Sequence, residues 1–275
     1  DETFRRWGDF RPVEDRDNWL VGKDWFAKAE KLVDQGADLR KTTPVLFFSH
    51  KPMSQMNYSQ AIEDDGVFEE KARIAWTRAG QEWYDFGAKA VPAVEPGQFI
   101  HLNDAEQFDQ EAAKRVASLE ALEPGLREKT RKQRYESLSA AERKAYDTPP
   151  EKRASREWEL ARQAEERLTI THDQLARQIT GPNRPTAIKL AREAADFEKK
   201  AENNRLYRRI VNFEYWRTRS QFEQTPEALA ARKYAYEGAQ AAAAADLLLA
   251  REMYEKCFAQ WRLLYDRKDL SFLKN

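Results

Sequence analysis

Few residues in this sequence are spaced for chemistry. The three histidines, His50, His101 and His172, stand in separate connectors or caps, and none has a His or Cys at i+3 or i+4. A zinc site would therefore have to be assembled from distant parts of the chain. Cys257 is the single cysteine, which rules out an internal disulfide, Cys-ligated clusters and haem attachment through paired cysteines. It falls on the apolar face of an expected helix, where a thiol packs as a small hydrophobe; reactivity needs an exposed, electropositive site and a base. No G-x-G-x-x-G, P-loop or G-x-S-x-G string occurs, and ten glycines are spread along the chain, so neither a phosphate cradle nor a nucleophile elbow has a candidate. Acidic runs such as Glu63-Asp64-Asp65 and Glu69-Glu70 are frequent, but in a chain that is 34% charged they read as solvated faces. The expectation is a protein without catalytic residues, metal or cofactor.

The one constellation with a binding character is Arg205, Arg208, Arg209, Arg217 and Arg219 interleaved with Tyr207, Tyr215 and Trp216. Arginine beside aromatics suits protein hot spots and base stacking alike. The plainer reading puts the aromatics in the core and pairs the arginines with acids on neighbouring helices. From this cluster Arg208, Arg209 and Trp216 are taken as candidate partner contacts. Forty-seven basic residues balance forty-seven acidic ones, so the general electrostatic attraction that drives nucleic-acid binding is missing, and a nucleic-acid partner is not expected. No run approaches the roughly 18 apolar residues of a membrane span. The chain opens at Asp1 without Met, the pattern of a fragment or processed product, so a signal or membrane anchor upstream stays open and with it the compartment.

The elements that must hold these residues are helical. Residues 18–35 place Leu20, Trp25, Ala29, Leu32 and Val33 near helical spacing ahead of Gly36. Residues 39–56 carry Thr42-Thr43-Pro44, an apolar run and Pro52, and read as an extended apolar connector, with a short strand as the alternative. Asn57 with Gln60 is expected to cap a helix ending at Asp65-Gly66, and 68–86 to form a second helix that stops at Gly87. Pro92, Pro96 and Gly97 mark a linker over 91–102. Asn103 with Glu106 caps a helix that runs to Pro124-Gly125. Ser139-x-x-Glu142 and Thr171-x-x-Gln174 cap two shorter ones, the latter closed by Gly181-Pro182 and Pro185. One helix over 203–222, with stripes through Leu206, Ile210 and Phe213 and through Tyr207, Val211, Tyr215 and Phe222, is expected to be covered on two sides. Thr225-Pro226 then starts a further helix.

Tyr234, Gly238, Ala250, Tyr254 and Cys257 are spaced as in the tetratricopeptide repeat, which this segment resembles. Small residues at 238 and 250 let two antiparallel helices approach, and the tyrosines fill the space beside them. Glu237 stands where the repeat has Leu and Arg262 where it has Pro, and Ala241–Ala245 is strong helix former; a hairpin over 226–267 and a single long helix are both open, the hairpin favoured. Weaker copies lie at Gly66-x-Phe68 and around Gly22 and Asp24-Trp25. The strings NWLVGKDWFAKAE, DDGVFEEKARIAWTRAGQEWYDFG and VNFEYWRTRSQFEQTPEALAARKYAYEG are also similar to an uncharacterised planctomycete family carrying the automatic label "iron responsive element". That label names an RNA structure and implies no chemistry. The resemblance implies a bacterial helical protein, tethered to a membrane upstream of Asp1 or free.

The reading is therefore an all-α protein of irregular antiparallel helical hairpins, tetratricopeptide-like (an α-solenoid), with long connectors. Its segments are N-terminal hairpins over 1–90, a linker at 91–102, a charged middle over 103–185 and tetratricopeptide-like helices over 186–275. The function expected is a non-catalytic scaffold or adaptor that binds another protein or joins a larger assembly. RNA binding and an enzyme with a site built from distant residues are the alternatives. By the tetratricopeptide resemblance, Arg232, Ala235 and Ala239 would line the concave, partner-binding side.

Overall fold

A computed structural model describes residues 17–39, 42–93 and 97–267 of the 275. Pro96, one marker of the expected linker, lies outside the described residues. The described chain is all-helical apart from one short antiparallel ribbon, in which Val91 pairs with Ile100 and Pro92 with Phe99. It divides into two compact units, one running up to Asn103 and resuming at Asn204, the other formed by Asp104–Asn203. In space the helices before 91–102 and those after Asn204 share one unit.

That unit contains α1 (Asn18–Asp34), α2 (Pro44–Asp64), α3 (Glu69–Ala88), α10 (Phe213–Glu223), α11 (Pro226–Ala243) and α12 (Leu247–Asp266). The second holds α4 (Ala105–Ala121), α5 (Leu126–Glu136), α6 (Ala140–Asp147), α7 (Ser155–Leu168) and α8 (His172–Gln178). Helix α9 (Arg184–Ile210) supplies its first turns to the second unit and its last to the first. In the second unit both predicted capping boxes form, Ser139 with Glu142 and Thr171 with Gln174, each satisfying two otherwise orphaned backbone N–H groups. Leu119, Leu175 and Ile179 bury against Ala187 and Ala191 there.

Several expectations are corrected. The connector expected over 39–56 is largely the first half of α2, which runs through Pro52 with Thr43 extended at its N-cap and Pro44 in its first turn. Pro52 withholds one backbone bond from a helix that packing holds on both sides, with Val45 and Phe48 buried at 0% and 1% exposure. Asn57 and Gln60 therefore lie inside α2 and cap nothing. Asn103 does not cap α4 either; its side-chain amide donates to the Tyr84 carbonyl at 3.0 Å. Gly22 sits inside α1 rather than at a turn. The helix expected over 203–222 breaks at Asn212, whose φ of 49° is left-handed, a conformation Asn tolerates better than most residues. The break swings Phe213 into the core at 0% exposure, while Leu206 and Ile210 stay open at 47% and 41%. Two-sided coverage is thus absent.

The core of the first unit is aromatic. Trp83 packs edge-on against Phe86 and Phe213, with centroids 5.7 and 6.0 Å away, and lies parallel to Trp216 at 6.5 Å. Residues 226–267 form a hairpin: α11 ends, Ala245 takes a φ of 61° in place of glycine, and the Asp246 carboxylate accepts from the Leu249 N–H at 3.0 Å. Thr225 caps α11 through the Ala228 N–H. Among the described residues no helix is long and apolar enough to cross a membrane.

Candidate functional site

Helices α10, α11 and α12 enclose a groove of about 400 Å³, lined by Tyr215, Thr218, Arg219, Phe222, Glu223, Arg232, Leu264 and Tyr265. Its floor is a buried acid. Glu223, the last residue of α10, is 1% exposed and accepts a forked pair of bonds from Arg232, Nε at 3.1 Å and Nη2 at 2.5 Å. Arg219, one turn earlier on α10, adds a longer contact at 3.4 Å. A forked guanidinium is the geometry that best offsets the desolvation of a carboxylate. Burial alone would pull the Arg232 guanidinium down, but Glu223 bonded to it leaves its pKa raised.

Behind the groove lies a second buried acid. Glu63, near the end of α2, accepts from Trp76 Nε1 at 2.8 Å. Burial pushes its carboxyl up to about 7, the Trp76 hydrogen bond opposes that, and the Glu223 charge adds to it. Arg219 ties the two halves of the cluster: its Nη2 donates to Gln60 Oε1 at 2.7 Å, and its guanidinium lies over the Trp76 and Trp216 rings. Arg232 likewise sits over Trp261, which stacks on Phe222 at 5.3 Å. A separate polar network joins α1, α2 and α3, where Lys23 and Lys51 meet Glu82 and buried Gln55 accepts from Lys23 at 2.6 Å.

The candidate contacts distribute unevenly. Arg232 lines the groove but is already bonded to Glu223. Ala235 is half-buried and Ala239 exposed on α11. Arg208 is buried at 6% exposure, donating from Nε to the Leu102 carbonyl at 2.6 Å and pairing with Glu214 at 2.7 Å. Packing thus occupies it as a tie between the ribbon end and α10, rather than leaving it for a partner. Arg209 is exposed, and Trp216 is half-buried against Tyr215 and Trp83. Glu63, Trp76, Phe222, Glu223 and Trp261 were not among the sequence candidates. Among the described residues no group of three or more His, Cys, Asp or Glu side chains is placed to hold a metal ion. His50 stacks on Phe26 at 4.9 Å, and burial pulls its pKa down.

Comparison with protein-family models, with curated proteins and with solved structures gave no match.

Proposed function

We propose that this chain is a non-catalytic scaffold or adaptor whose α10–α11–α12 groove receives a segment of another protein, or seats the chain in a larger assembly. The observation that carries this reading is the make-up of the groove: Tyr215, Phe222 and Tyr265 with Arg219 and Arg232, the residue types that dominate binding energy at protein interfaces. Because the arginines are held by Glu223 and by ring faces, they present fixed donors and apolar edges, which lowers the ordering cost of association. A tetratricopeptide-like arrangement is part of the same reading. It is supported by the α11–α12 hairpin, where a Cβ on Gly238 would stand 3.1 Å from the Tyr254 ring, the close approach such a pair needs.

The RNA-binding alternative needs a continuous basic stripe. Arg208, Arg217, Arg219 and Arg232 each meet a carboxylate instead. The enzyme alternative needs a group shifted toward neutral pH on the pocket wall; Arg232 there is shifted away from it, and the Glu63 carboxyl is bonded to Trp76 and is not among the lining residues. Affinity purification of the tagged chain from its native host, with mass spectrometry and nucleic-acid recovery, tests the reading. Stoichiometric protein partners, lost on Tyr215→Ala, are expected, since Tyr215 lines the groove and is exposed; nuclease-sensitive recovery would overturn it.

A further inference from the structure

Helix α12 buries one side and leaves the adjacent side open. Ala250, Met253, Cys257 and Leu264 are buried, whereas Leu247, Phe258 and Tyr265 are 71%, 69% and 61% exposed and Tyr254 is 37% exposed. At 3.6 residues per turn Leu247, Tyr254, Phe258 and Tyr265 fall within roughly 40° of arc. They form one apolar stripe along the helix, of the kind that marks an interaction surface.

The charges beside the stripe say what fits it. On its open flank stand Arg251, Glu255, Arg262 and Asp266, all exposed, in the order plus, minus, plus, minus, at steps of four, seven and four residues. Read backwards, the series is its own electrostatic complement. In an antiparallel helix pair each flank meets the same flank of its partner, so a second α12 placed head to tail would meet opposite charge at every position. The Arg251–Glu255 bond within the helix, at 2.7 Å, joins two exposed groups; such a surface pair is weak and does not hold them from such a partner.

We propose that α12 pairs with α12 of a second copy of this chain, antiparallel about a two-fold axis passing between Phe258 and Ala259. Arg251 then faces Asp266 of the second copy, Glu255 faces its Arg262, and Phe258 lies beside the axis. The pairing rests on the reading of this chain as one that works through protein contacts, and it names one of them. A charge order that is its own complement when run antiparallel is met at every position by a second copy of the same helix, which is what singles out this chain as the occupant.

Sedimentation of the full chain over a concentration series tests this. The wild type is expected to dimerise. Glu255→Arg, which sets like charges opposite each other twice, should raise the dissociation constant about tenfold, and the double swap Glu255→Arg with Arg262→Glu should restore it. Phe258→Glu should weaken the dimer more than either, by about a hundredfold, without altering helix content, because that side chain is exposed. A wild type that stays monomeric overturns the pairing, as does a double swap no tighter than Glu255→Arg alone. A monomer that still recovers a stoichiometric protein partner overturns the pairing while leaving the scaffold reading in place.

Discussion

Replacing Glu63 with Gln puts the buried acid to a quantitative test. In the folded chain this carboxyl is 6% exposed and its pKa is raised from 4.5 to about 7 by burial. Between those two values the folded state binds more protons at this position than the unfolded state, so stability falls as pH rises through the window and levels off above it. At ~1.4 kcal/mol per pKa unit the whole window amounts to about 3 kcal/mol. Gln retains the oxygen that accepts from Trp76 Nε1 and never charges. The variant should match the wild type near pH 4.5 and exceed its stability by about 2–3 kcal/mol at pH 8. Carboxylates that do not interact with Glu63 cancel in the difference between the two proteins. Urea unfolding followed by tryptophan fluorescence suits the measurement, because Trp19, Trp25, Trp76, Trp83, Trp216 and Trp261 lie in the unit that holds Glu63, and Trp158 alone among the described tryptophans lies in the other. A difference that stays flat from pH 4.5 to 8 refutes the argument. One that favours the wild type at high pH would mean that Arg232 outweighs burial and holds Glu63 charged.

Gly87→Ala should cost about 2 kcal/mol by thermal denaturation, because a Cβ there would stand 2.6 Å from Phe213 Cζ and run into the Asn103 side chain. Arg232→Ala leaves Glu223 buried with only the 3.4 Å contact from Arg219. Arg232 is itself 38% exposed, so the cost should be ~2 kcal/mol rather than the ~3–5 of a fully buried pair, with Arg232→Lys recovering only part of it because the fork is lost. Ala245→Gly should raise stability by about 1 kcal/mol in the same denaturation series, since it relieves a φ of 61° at a non-glycine residue.

Local signals carried the fold where they were self-contained. Ser139, Thr171 and Thr225 cap the helices their spacing announces, because a cap is a bond between residues three apart and needs no tertiary information. The hairpin over 226–267 was open in the sequence, since Ala241–Ala245 favours continuing a helix; what ends it is Asp246 bonding the Leu249 N–H and the burial that the return helix gains. Helix α2 was illegible for the opposite reason. Its buried face carries Ser49, Ser54, Gln55, Ser59 and Glu63 among the apolar residues, so the apolar period that announces a helix is missing. Those polar groups are tolerated because the helix satisfies them itself or borrows from α1 and α3. Ser54 and Ser59 donate to the carbonyls four residues back, and Glu63 takes the Trp76 N–H.

The same face explains why the groove cluster could not be read in advance. Glu63 sits in an acidic run at a helix end, a context that reads as solvated, and Glu223 is one of many acids in a charged chain. Neither is distinguished until α2, α3 and α10 come together, which brings Trp76 to Glu63 over thirteen residues of sequence and Arg219 to Gln60 over 159. The one advance signal was the arginine and aromatic cluster at 205–219, and its plainer interpretation was closer to the outcome: most of those arginines meet acids. Pairing is nonetheless what suits Arg219 and Arg232 to a binding groove. A free arginine would spread over many rotamers and would have to be ordered at each encounter. One pinned between a buried carboxylate and an indole face meets a partner already in place, so the cost of ordering it falls on folding rather than on binding.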